Sequence, residues 1–107
     1  MPAKEPMRIE RRHSFPVDEA RQRVQAMTDY WRNRYGINID WSGNTGRSKG
    51  RVKGISFDAQ IVVAEKLILC EADVGFLAER LGARAYIERK LDDYLDPQKP
   101  VASLPRR

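Results

Sequence analysis

The sequence predicts an α+β domain ordered strand, helix, four-strand antiparallel meander, helix, with both helices packed on one face of the sheet. Three observations carry this reading. Ile55, Phe57, Ala59, Ile61 and Val63 occupy every second position, with Ser56, Asp58 and Gln60 between them, the pattern of a half-buried strand. Val17, Ala20, Val24, Met27, Trp31 and Tyr35 recur at spacings of three or four, which is one apolar helical stripe. Short glycine-bearing connections separate the later alternating runs, so neighbouring strands must be antiparallel and one apolar sheet face is left for the helices.

Taken in order, residues 1–6 contain Pro2 and Pro6 and no periodicity, and read as a flexible N-terminus. Met7 to Ser14 is a charge-rich strand with Met7, Ile9, Arg11 and His13 on one face. The first helix spans Val17 to Tyr35. Pro16 lies at its start, Asp18 and Glu19 complement the positive end of the dipole, Arg32 and Arg34 the negative end, and Gly36 suits a left-handed C-terminal cap. Ile37, Ile39 and Trp41 alternate with polar residues as strand two, and Gly43-Asn44-Thr45-Gly46 supplies a hairpin turn. Strand three, Arg47 to Val52, is expected at an edge or facing solvent. Lys53-Gly54 turns into strand four, Ala64-Glu65-Lys66 leads to strand five at Leu67 to Val74, and Phe76 to Leu95 forms a second helix loosened near Gly82. Residues 97–107, with three prolines and a basic end, read as a flexible tail, which leaves a single domain over 7–96.

A chain of 107 residues has single-domain length. Its charged content of 33% is above the usual level of about 25% and implies a solvated exterior. A net charge of +5 permits attraction to nucleic acid, anionic lipid or an acidic partner without choosing among them. Cys70 is the single cysteine, which excludes an intrachain disulfide and fits a reducing compartment. The polar N-terminus and the lack of a long apolar run make cytoplasmic residence the expectation.

The candidate sites are each weighed against a plainer role. Gly43 to Gly50 is glycine-rich like a phosphate-binding loop, but Ser48 precedes Lys49 and a strand follows where a Walker sequence needs Gly-Lys-Ser/Thr and a helix. Arg47, Lys49 and Arg51 stand about 6.6 Å apart along one strand face, close to a phosphate repeat. Such a ladder can contact nucleic acid or another anion, or simply protect an edge from aggregation. Glu71 and Asp73 share a face, where a charged exterior explains them better than catalysis. His13 is the only histidine and fits orientation of the approach to the first helix; Cys70, on the face of Ile68, Ala72 and Val74, fits a buried small hydrophobe. Val74, Phe76, Leu77 and Leu81 cluster where strand five meets the second helix; core packing is the plainer and favoured reading, and a break of the helix near Gly82 would expose them as the candidate apolar contact patch. No catalytic set, metal centre or cofactor site is expected.

The order of several features completes the reading: Ile9 to His13-Ser14, Asp18-Glu19-Ala20-Arg21 opening the helix, Tyr35-Gly36 closing it, Trp41 and Gly43 in the first hairpin, Gly54, Gly75-Phe76-Leu77, and Ile87 to Leu91-Asp92. In this order, over about 7–95, the chain resembles the small bacterial proteins of the polyhydroxyalkanoic acid system family, associated with polyhydroxyalkanoate granule gene regions. It departs from that pattern in a longer pair of strands four and five and in the extra basic residues of strand three. The resemblance implies a non-enzymatic accessory protein that binds the storage granule, a granule-associated protein or a second copy of itself. A nucleic-acid or ribosome-associated module using the basic strand is the alternative. An enzyme or small-ligand carrier would need a cavity between sheet and helices with convergent polar groups, and the sequence gives no sign of that convergence.

Overall fold

The computed structural model describes residues 7–52, 54–74 and 82–107. Five strands form one antiparallel sheet: β1 (Met7–Arg12), β2 (Asp40–Ser42), β3 (Thr45–Val52), β4 (Ile55–Ala64) and β5 (Leu67–Val74), in the spatial order β1-β5-β4-β3-β2. Helices α1 (Val17–Tyr35) and α2 (Ala83–Tyr94) complete the expected α+β arrangement. The pleat sends Ile9, Ile61, Val63, Ile68, Cys70 and Ala72 to the helix side, where Ala20, Val24 and Met27 of α1 and Leu91 of α2 close the core. α1 lies over β4, and α2 over β1.

The ends of α1 follow the sequence closely. Gly36 adopts φ 73° and donates its N–H to the Arg32 carbonyl, which satisfies one of the last carbonyls of the helix. Gly82 stands at φ 91°, a left-handed residue that cannot continue a right-handed helix, so α2 begins after it and is closed by the Tyr86 N–H bond to the Gly82 carbonyl. The part of the second helix expected from Phe76 to Leu81 lies outside the described residues.

Two strand expectations are corrected. β2 is only Asp40–Ser42, because Ile37 and Ile39 leave the ladder and turn their side chains inward, while the Asn38 carbonyl takes the Ser48 hydroxyl proton at 2.7 Å. β3 is one strand in from the edge, but β2 pairs only with Thr45 to Arg47, so the rest of β3 still borders the sheet. Gly46 belongs to this strand rather than to the turn. A Cβ there would sit 3.1 Å from both the Ile39 and Trp41 side chains, so its hydrogen lets them lie flat on β3. Gly46→Ala is therefore expected to lose about 1 to 2 kcal/mol in guanidinium unfolding, since those neighbours must move.

His13 fixes the approach to α1 as expected. Its Nδ1 accepts the Phe15 N–H at 3.2 Å, which assigns the proton to Nε2, and Nε2 donates to the Ala64 carbonyl at 2.9 Å. Residues 97–107, read as a flexible tail, are laid back along α1. Leu104 is buried, Asn33 donates to the Arg106 carbonyl, Arg106 pairs with Asp29, and Tyr94 donates to the Pro105 carbonyl. The partners that hold this stretch sit on distant elements, where local composition does not reveal them. The organising side chain is Arg23, 2% exposed, which donates to the carbonyls of Tyr94, Asp96 and Lys99 and to Glu19, and covers the Phe15 ring at 4.1 Å.

Candidate apolar binding cleft

Where the sheet extends past the helices it leaves a half-open cleft of about 300 Å3. Its floor consists of the inward positions of three strands: Gly46, Ser48 and Val52 of β3, Ile55, Phe57 and Ala59 of β4, and Ala72 and Val74 of β5. Trp31 and Tyr35 of α1, with Ala83, Tyr86 and Ile87 of α2, form one wall; Ile37 and Ile39 form the other. The cleft exists because Ala59 and Ala72, paired on adjacent strands, put only methyl groups on the floor. Gly46, Ser48 and Gly50 occupy successive inward positions of β3, but the Ile39 and Trp41 side chains lie against Gly46 and the Phe57 ring lies over Gly50, so these glycines accommodate neighbouring side chains.

Among the described residues the lining is almost wholly apolar; the Ser48 hydroxyl on the floor is turned to the Asn38 carbonyl, and the other hydroxyls and the indole N–H gather on the helix wall. Trp31 Nε1 donates to the Tyr86 hydroxyl at 3.2 Å, and the Tyr86 and Tyr35 hydroxyls are 3.4 Å apart. Burial first, and then the hydrogen bond with Tyr35, push the Tyr86 phenol well above its ordinary range, so it stays protonated. Cys70 also lines the cleft; burial and the neighbouring Glu71 charge push its thiol up to about 11.

Val74 is on the cleft floor, whereas Phe76, Leu77 and Leu81, its partners in the expected contact patch, lie outside the described residues. Arg47, Lys49 and Arg51 are exposed on the opposite face of the sheet, so the structure does not bring them to the cleft. Their cross-strand neighbours are mixed: Arg47 stands between Asp40 and Gln60, Lys49 beside Asp58, and Asp58 beside Asp73. Glu71, next to Arg8, completes this charged outer face. The ladder therefore sits in a field of alternating sign rather than in a basic stripe. Sequence reasoning missed the aromatic wall and the floor. A usable signal was present in Ala59 and Ala72, small residues on the strand faces that should pack against helices bearing Trp31 and Tyr86.

Fold and cleft together define a small α+β domain with an apolar concave site between sheet and helices. The chain belongs to the polyhydroxyalkanoic acid system family: the family's sequence model, described as "Putative polyhydroxyalkanoic acid system protein", matches residues 7–98. Comparison with curated proteins and with solved structures gives no match. Among the described residues, no helix is long and apolar enough to cross a membrane.

Proposed function

We propose that the protein is a non-enzymatic accessory protein of the polyhydroxyalkanoate storage system that binds the granule surface or a granule-associated protein. The observation that carries this reading is the apolar cleft, open at the end of the sheet where Val52, Ile55, Phe57 and Val74 are only partly buried. Apolar surface left accessible in this way marks a contact site. Family membership supplies the setting, a storage polyester whose alkyl groups such a surface suits. The titratable groups at the cleft also favour binding over chemistry, because Cys70 and Tyr86 are both held in their neutral forms at physiological pH.

The test is partitioning of the purified full chain onto isolated polymer granules, comparing wild type with Ile55→Asp and Val74→Asp variants whose circular dichroism is unchanged. Each variant places a charge on the apolar rim, and a loss of bound fraction of roughly tenfold or more is expected. Equal partitioning of all three proteins would remove the cleft from granule binding.

A further inference from the structure

The shape and chemistry of the cleft specify more than a sticky surface. At roughly 30 Å3 per water-sized group, about 300 Å3 holds about ten such groups, which is the low end of small-ligand sites. The stretch of floor at Ala59 and Ala72, facing the aromatic wall of Trp31 and Tyr86, accepts a slender aliphatic chain. The polar atoms answer for the other end of such a guest. Tyr86 Oη already accepts the Trp31 indole proton, and its contact with Tyr35 at 3.4 Å is long for a hydroxyl pair. The Tyr86 proton can therefore pass to a better acceptor at little loss, and a neutral carbonyl oxygen is the acceptor that a neutral phenol in an apolar wall favours.

We propose that the cleft is a ligand site for a single medium-length hydroxyacyl chain, its alkyl part lying over Ala59 and Ala72 and its carbonyl oxygen accepting the Tyr86 hydroxyl proton. The identification of the chain as hydroxyacyl rests on the granule reading above; the site for an aliphatic chain with one carbonyl does not. The same chemistry is presented by a polymer segment, as an ester, and by a free hydroxyalkanoic acid. The site separates a guest that enters the protein from a surface on which the protein merely adsorbs.

The chain carries its own reporters. Both of its tryptophans bear on the cleft, Trp31 in the wall and Trp41 against Gly46, and Cys70 is in the lining. The full chain is titrated with hydroxydecanoate and with its methyl ester, below the concentrations at which either aggregates, and with hydroxybutyrate as a guest too short to fill the site. Tryptophan emission is expected to change saturably with one or both long probes, and alkylation of Cys70 to slow by at least severalfold when they are bound. Binding of the ester alone points to the polymer as the source, and binding of the acid alone to the free acid. Tyr86→Phe, which keeps the ring, should weaken binding about fivefold by loss of one hydrogen bond, and Ala59→Phe should abolish it by filling the floor. Absence of any saturable change with either long probe overturns the proposal, as does equal affinity for the hydroxybutyrate control. Granule partitioning without probe binding would sink this inference and leave the granule reading standing. Probe binding without partitioning would do the reverse, and neither result requires the Ala59→Phe variant to fold.

Discussion

Arg23→Ala is expected to lower stability by about 2 to 4 kcal/mol in denaturant unfolding, from the loss of several charge-assisted hydrogen bonds at about 1 kcal/mol each and of the packing on Phe15. The reason is the geometry of the guanidinium, which is almost wholly enclosed and makes four hydrogen bonds, at 3.1, 3.2 and 2.7 Å to three carbonyls and at 3.0 Å to Glu19. Alanine leaves the buried Tyr94 carbonyl without a donor, at about 1 kcal/mol or more, and the part-buried Asp96 and Lys99 carbonyls must turn to water. It also removes the cover from the Phe15 ring. Arg23→Lys tests the planar fork separately, since an ammonium keeps the charge but cannot hold three divergent carbonyls from the same position; it should recover less than half of the loss. Because Arg23 joins α1 to the segment after α2, amide exchange should accelerate first over residues 94–106 in either variant. Loss smaller than 1 kcal/mol in both would mean that the C-terminal segment is not held by this side chain.

The contrast between Arg23 and Gly36 shows which parts of this fold can be read from its sequence. Gly36 acts locally: its cap closes a helix whose stripe, charges and start are all adjacent in the chain, and the same holds for the alternation of β4 and β5. Arg23 stands on the core side of α1, and the three carbonyls it holds lie more than 70 residues away, so a sequence reading assigns it no role in holding them and leaves that segment as a flexible tail. The cleft falls between these cases. Most of its residues belong to elements the sequence places correctly, Ile37, Ile39 and Gly46 being the exceptions, but a cavity is a deficit of volume between elements, and only the summed size of facing side chains shows it. Gly46 and Gly50 invite a reading as turn or loop residues because glycine usually serves there. On the inward face of a strand, the same residue makes room. The ladder of Arg47, Lys49 and Arg51 was visible at once, yet its electrostatic meaning depends on Asp40, Asp58 and Asp73, which strand pairing brings alongside.

Raising the pH from 8 to 11 is expected to destabilise the protein by about 2 to 3 kcal/mol through Cys70 alone. In the folded chain burial pushes the thiol up to about 11 from an ordinary value of 9.0, so between these values the unfolded chain releases a proton that the folded chain keeps. The folded state binds more protons in that window, stability must fall as pH rises through it, and the contribution is fully present below about pH 9. Tyr86 and Tyr94 act in the same direction, since burial raises both phenols, and their effect begins near the ordinary phenol value. Cys70→Ala separates the terms. It should lower stability at pH 8 by the loss of a small buried side chain, flatten the decline between pH 9 and 10, and leave the tyrosine-dependent fall above that. The same burial predicts slow alkylation of the native thiol at pH 8, with a rate that follows thiolate formation toward pH 11 rather than levelling near 9. A native thiol that titrates at 9 would show that water reaches the floor of the cleft beside Cys70, and would remove the dry apolar interior on which the binding reading depends.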